Sequence, residues 1–262
     1  MVEVTFLGTG SAFAAGRRGY AALLIETSDF RMLVEAGPTI VQQLAHAGLR
    51  ATDVKRLFVT HSHGDHTLGF PVLALNRLGD AVPLCIYAGD TTIAMLKTLL
   101  AIAYPRFASN SFMLDWHALP ETGLTETVLT PDITLHTVNV PHPPGVPTLA
   151  ARWNFAAGPS IAFVTDTCPN SATLELARGC DLLIHEATFS AKLHPEANPA
   201  EQFHSTAEQA GGLARAAGCP RLALVHLGPG VSEHPDVLAE EARAGSDLQV
   251  IVPEDGERIC LL

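Results

Sequence analysis

Short apolar runs recur along the chain, most of them closed by Gly, Pro, Asp or Asn. The first, Val2-Glu3-Val4-Thr5-Phe6-Leu7, alternates with period two, which predicts a half-buried strand. Residues 21–26 and 31–35 read as a hairpin around Ser28-Asp29. Residues 38–47 read as a helix, with Pro38 at its start and Gly48 past its end. The run Arg56-Leu57-Phe58-Val59-Thr60 predicts a buried strand, 68–78 a helix, 84–88 a strand, and 90–103 a helix with Asp90 as its N-cap. In the second half, 133–140 predicts a strand that ends at Pro141-His142, and 149–156 and 161–165 predict paired strands around Gly158-Pro159. Then follow a helix at 174–178, a buried strand at 181–185, a helix at 205–217, a strand at 221–226, a helix at 235–244 and a last strand at 248–252. Strands alternate with helices in both halves, which predicts an α/β protein of two sheets covered by outer helices. The segment 94–112, with Tyr104, Pro105, Arg106 and Phe107, reads either as a core helix and its exit loop or as a lid over an apolar pocket.

Composition narrows the class. There is no low-complexity linker and no repeat of fixed period, so residues 1–262 are read as one domain with a sizeable core. The net charge of −11 and the lack of any Lys/Arg cluster longer than Arg17-Arg18 argue against a nucleic-acid partner, because phosphate binding draws on a basic face. Five scattered cysteines without a CxxC pair argue for a reducing compartment, and the absence of a signal-peptide pattern or a bilayer-length apolar run makes a cytoplasmic, non-membrane protein the expectation. Gly8-Thr9-Gly10 completes neither phosphate-loop pattern and is read as a tight turn.

The chemistry concentrates in His61-Ser62-His63-Gly64-Asp65-His66, directly after the apolar run that ends at Thr60. Imidazole and carboxylate together suit zinc, iron or manganese. His61 and His63 project to the same side of an extended backbone, while Gly64 lets the chain turn and send Asp65 and His66 elsewhere. That suits two metals side by side better than one. His142, Asp166 and His226 each follow a predicted strand, where a rigid scaffold holds loop-borne ligands. Cys168 reads as small core packing or a soft neighbour of the metals, and Lys97 or Arg106 as groups able to neutralise substrate charge.

The order HxHxDH, His, Asp, His resembles the metallo-β-lactamase superfamily over the full length of the chain. That resemblance implies a four-layer αββα sandwich with a dinuclear site between the sheets, holding two zinc ions or, in their place, manganese or iron. It assigns His61, His63 and His142 to one metal, Asp65, His66 and His226 to the other, and Asp166 to a bridge between them, with Asp65 also counted in the catalytic set. Asp181-Leu182-Leu183-Ile184-His185-Glu186-Ala187-Thr188-Phe189 and His204-Ser205-Thr206-Ala207 resemble two signatures of the ribonuclease Z group. They imply His204 as the general acid, Glu186 as the residue that orients it, and His185 as structural. The implied reaction is ester hydrolysis, most naturally of a phosphodiester, by a metal-bridging hydroxide. Sulfate-ester, carboxylic-ester or lactone hydrolysis, tRNA 3′ processing, and non-catalytic metal binding are the alternatives.

Two departures shape the expectation. The long arm with which ribonuclease Z enzymes grip tRNA has no counterpart between His142 and Asp166, where there is room for one hairpin, and Pro143-Pro144-Gly145-Val146-Pro147 lacks a Ser-x-Gly-Tyr pattern. A small-molecule ester is therefore the expected substrate, and a homodimer is expected by analogy with the group. Glu35 also stands where the superfamily usually has aspartate, one methylene shorter.

Overall fold

The structure is a computed structural model that describes residues 1–13, 18–108 and 113–262. The first half of the chain supplies β1 (Val2–Gly8), β2 (Ala22–Glu26), β3 (Arg31–Val34), β4 (Arg56–Phe58), β5 (Leu84–Gly89) and β6 (Leu114–Leu119). The second supplies β7 (Leu124–Thr130), β8 (Ile133–Val140), β9 (Thr148–Phe155), β10 (Ser160–Val164), β11 (Leu182–Glu186), β12 (Arg221–Val225) and β13 (Gln249–Ile251), and β14 (Arg258–Leu261) returns to the first sheet. The helices are α1 (Ile40–His46), α2 (Gly64–Thr67), α3 (Phe70–Leu75), α4 (Asp90–Ala103), α5 (Pro105–Ala108), α6 (Ser171–Ala177), α7 (Ala207–Ala217) and α8 (Pro235–Arg243).

The two sheets have the orders β14-β1-β2-β3-β4-β5-β6 and β13-β12-β11-β10-β9-β8-β7. Each is antiparallel at one end and parallel at the other; β3 to β6 run parallel in the first and β10 to β13 in the second. Strands of this parallel kind are covered on both faces and therefore read as continuous apolar runs. In β11, Leu182 and Ile184 enter the core between the sheets while Leu183 packs under α6, α7 and α8. In β3, Met32 and Val34 face the other sheet while Leu33 lies under the helices that follow it. Three apolar layers result, one between the sheets and one beneath each helical coat, which is the expected αββα sandwich. Trp153 closes the inter-sheet layer, fully buried, edge-on to Phe58 at 5.7 Å and donating its indole N–H to Met32 Sδ at 3.3 Å.

Several local expectations are corrected. The helix expected at 68–78 is shorter, α3 over Phe70–Leu75, and an unexpected short helix, α2, precedes it and begins inside the histidine motif. The N-cap of α4 is Gly89, not Asp90. Its first turn is satisfied from outside, since Glu121 accepts from the Thr91 backbone N–H at 2.9 Å and the Thr91 hydroxyl at 3.1 Å. Strands β6 and β7 were not anticipated, and β13 is not the last strand. The segment 94–112, read either as a core helix with its exit loop or as a lid, forms the rest of α4 and then α5 up to residue 108; its remainder, 109–112, lies outside the described residues, as does Arg17.

Candidate metal centre

The histidine motif is held by its neighbours before any ligand is considered. His61 lies just past β4, and its Nδ1 meets the Thr60 hydroxyl at 2.9 Å. Leu149 of β9 donates to the Thr60 carbonyl at 3.0 Å, which ties the motif to the second sheet. His63 is the N-cap of α2, and the chain turns there because a helix begins; Gly64 has no left-handed φ. The Thr67 hydroxyl closes this turn on the His63 carbonyl at 2.8 Å. Gly37 passes so close that a Cβ there would lie 2.0 Å from the Asp65 carbonyl oxygen, so only glycine fits.

All seven expected ligands converge. Ligand atoms of His61, His63, His142 and Asp166 lie within 4.8 Å of one another, and so do those of Asp65, His66, Asp166 and His226. Asp166 belongs to both groups. Its Oδ1 is 3.4 Å from His66 Nε2, and its Oδ2 is 3.3 Å from His226 Nε2 and 3.8 Å from His61 Nε2. Asp65 Oδ2 lies 3.1 Å from His66 Nε2 and 3.4 Å from His226 Nε2, while His63 Nδ1 and His142 Nε2 are 3.1 Å apart. Glu35, Asp166 and His226 all adopt left-handed φ (69°, 45° and 54°). Such conformations cost non-glycine residues about 1–3 kcal/mol each and survive where surrounding structure over-determines them.

These residues fit a pair of divalent metals. Nε2 of His61 and Nε2 of His66 are fully enclosed yet make no hydrogen bond, which leaves unsatisfied nitrogens aimed into a ring of carboxylates. Burial pushes the pKa of His61 well down and that of His142 down to about 4, so both are neutral donors at pH 7. Burial also works to lower His66, but Asp166, Asp65 and Glu35 outweigh it and hold its pKa well above the usual range. Burial opposes the charge on Asp65, yet His66 and His226 keep its carboxyl far below the usual range. Three carboxylates around one imidazole, those of Glu35 and Asp166 buried and that of Asp65 nearly so, concentrate negative charge that cations offset. Glu35 is fully buried beside the ligands, with Oε1 3.3 Å from His66 Nδ1 and the Thr60 N–H 3.3 Å from Oε2.

A second layer surrounds this cluster. Glu186, at the end of β11, is fully buried and accepts from the Thr167, Thr188 and Ser205 N–H groups at 3.0–3.2 Å. Its Oε1 also lies 3.0 Å from His204 Nδ1. Burial tends to lower the pKa of His204, but the charge and hydrogen bond of Glu186 dominate and push it up to about 9. His185, by contrast, bonds through Nδ1 to the Glu186 carbonyl at 2.8 Å and belongs to no ligand cluster. The site opens into a cavity of about 470 Å³ whose walls include Phe13, Phe189, His194, Gln202 and His204. Among its described lining residues there is no Lys or Arg. Lys97 lies instead over the Trp116 ring at 5.0 Å, and Cys168 is in neither ligand cluster.

Sequence reasoning missed Thr188, whose hydroxyl touches both Glu186 and His226, and the cavity walls Phe13, His194 and Gln202. Thr188 was visible only as a letter of the HEATF segment. The wall residues carry no spacing signal, because they come from two connecting segments, one after β1 and one between β11 and α7.

A family model described as anti-Pycsar protein Apyc1 matches residues 2–209. The ribonuclease Z of Anoxybacillus flavithermus is 31% identical, with 92% of this chain and 92% of that protein covered. Among solved structures, the metallo-β-lactamase fold protein YhfI from Bacillus subtilis superposes with a TM-score of 0.81 at 21% identity over 98% of both chains. The short form of human tRNase Z does so with 0.79 at 22% identity over 99% of both. With the αββα sandwich and the histidine–aspartate cluster, these likenesses make the chain a metal-dependent hydrolase of the metallo-β-lactamase superfamily, belonging to its ribonuclease Z-like branch and to the family described as anti-Pycsar protein Apyc1.

Proposed function

We propose that the protein hydrolyses a small phosphodiester with two zinc ions, one held by His61, His63 and His142, the other by Asp65, His66 and His226, with Asp166 shared between them. The observation that carries the reading is the 3.0 Å contact of Glu186 Oε1 with His204 Nδ1, at the wall of the cavity into which the ligand clusters open. A metal pair supplies hydroxide at neutral pH and offsets the charge that develops on the phosphoryl oxygens. His204 supplies the other requirement. With Nδ1 engaged by Glu186, Nε2 is left to protonate the departing ester oxygen, and an imidazolium is present at pH 7 to do so. The cavity favours a compact substrate whose only charge is the phosphodiester, since its described walls carry no Lys or Arg beside the single imidazolium of His204. Five free cysteines suit a reducing compartment such as the cytoplasm.

The test is hydrolysis of bis(p-nitrophenyl) phosphate by metal-loaded and chelated protein, with His204→Ala beside the native chain. Chelator-sensitive turnover supports the reading. His204→Ala is expected to keep its metals and lose turnover most on poor leaving groups. No turnover by protein that holds two metals would move the assignment to sulfate esters, carboxylic esters, lactones or metal binding without catalysis.

A ribonuclease reading is favoured by one observation, the 31% identity to a protein named ribonuclease Z. Against it stand the net charge of −11 and the interval from His142 to Asp166, which the β9–β10 hairpin fills. A gel assay on a 3′-extended tRNA precursor separates the two, because the small-phosphodiester reading expects no cleavage.

A further inference from the structure

Away from the dinuclear cluster, Cys85, Asp115 and His117 bring a thiol, a carboxylate and an imidazole within 4.8 Å of one another. The arrangement follows from strand register. Parallel β5 and β6 pair Cys85 with Asp115 and Tyr87 with His117, so these side chains share one face. Asp115 Oδ2 is 3.0 Å from His117 Nε2 and 4.0 Å from Cys85 Sγ. The imidazole is held flat by the Tyr87 ring, stacked at 4.6 Å and 12°. Tetrahedral zinc sets nitrogen, oxygen and sulfur ligands roughly 3.3–3.6 Å apart, so small side-chain movements close the set. Burial and Asp115 push the Cys85 thiol pKa up, which speaks against a resting nucleophile. Arg56, paired with Cys85 from β4, has its guanidinium over the Phe30 ring at 4.9 Å.

We propose that Cys85, Asp115 and His117 form a third metal site, for a thiophilic divalent transition ion such as zinc or cobalt, separate from the dinuclear centre. Thiolate and imidazole select such ions over magnesium or calcium. Side-chain exposures of 57% at Asp115 and 40% at His117 leave room for water as a fourth ligand. A bound ion fastens β6 to β5, and so braces an edge that has no further strand beside it among the described residues.

The dinuclear ligand set contains no sulfur, which makes the test spectroscopic. Chelator-stripped full-length protein is reloaded anaerobically with cobalt(II). The expected result is three cobalt ions per chain and a sulfur-to-cobalt charge-transfer band in the near ultraviolet. Cys85→Ser is expected to lose the band and one ion while keeping its turnover, and Cys168→Ser to keep both. His117→Gln, at an exposed position, is expected to weaken the third ion at least ten-fold without unfolding the sheet. A protein that saturates at two cobalt ions with no such band overturns the site, and so does a band that survives Cys85→Ser.

Discussion

The Thr188 hydroxyl lies 2.9 Å from Nδ1 of His226 and only 2.7 Å from Oε2 of Glu186. A hydroxyl has one proton, and the carboxylate can only accept, so that proton goes to Glu186. The hydroxyl is then placed to accept from Nδ1–H of His226, so that Nε2 of that ring, which faces Asp65 and Asp166, is the nitrogen available to a metal. Thr188 thus fixes the tautomer that a metal requires. Thr188→Val keeps the shape and removes both bonds. We expect one of two metals to bind about 10–100-fold more weakly, the usual effect of losing such a partner, and Thr188→Ser to restore it. Competition titration against a chromophoric chelator reads this, and unchanged affinity in the valine variant would refute the role.

The pH profile tests the Glu186–His204 pair. A group raised by its partner is protonated below its pKa and loses its proton as pH rises through it, so general-acid catalysis is present at low pH and lost on the alkaline side. For His204 that limb belongs near pH 9 from the protein groups alone, and bound cations pull it lower. Glu186→Gln removes the main raising charge. The alkaline limb for a poor leaving group is expected to move to lower pH, while a nitrophenyl ester, which needs no proton, shows no such limb. Equal profiles for both esters would remove His204 from the proton transfer.

Six of the seven convergent candidate ligands were legible because they follow buried strands, and strands covered on both faces announce themselves as unbroken apolar runs, whereas His142 follows the alternating strand β8. Strands β6 and β7 gave no such signal. Each ends its sheet, and Asp115 and His117 in one, Thr125 and Glu126 in the other, break the apolar density. Strand β14 pairs with β1 across nearly the whole chain, a distance no local pattern reports. The left-handed backbone at Glu35, Asp166 and His226 is likewise invisible in residue type, since none is glycine. The cap of α4 escaped for a similar reason, because Glu121 reaches it from 30 residues away.

Glu241 looks like one more surface charge of α8, yet it is buried and accepts from the Ser190 hydroxyl at 2.5 Å and the N–H groups of Ala191 at 2.8 Å and Glu208 at 3.1 Å. It joins the loop after Phe189 to the first turn of α7, the helix that begins just after His204. Glu241→Ala leaves the buried Ser190 hydroxyl without its acceptor and removes the bonds to the more exposed Ala191 and Glu208 N–H groups. At about 1–3 kcal/mol for a buried group left unsatisfied, a loss in that range is expected, read as a lower urea midpoint. Glu241→Gln keeps one acceptor oxygen and is expected to lose less. A midpoint unchanged in both variants would return Glu241 to the surface class.

Metal removal tests the cluster through stability. Glu35, Asp65 and Asp166 surround His66, and without cations their charge is offset only by neighbouring imidazoles, His66 foremost. Metals that bind only the folded chain stabilise it by about 4 kcal/mol at a thousand times Kd. For a chain of this size that is roughly 8–16 °C in Tm. Calorimetry with and without chelator is expected to show a difference of that order. Glu35→Gln relieves part of the repulsion in the chelated form and weakens the hold on His66, so its gap between loaded and chelated protein is expected to be smaller than in the native chain. Identical melting in all four samples would mean that the cluster takes up no ions, and that its charges are reconciled by protons instead.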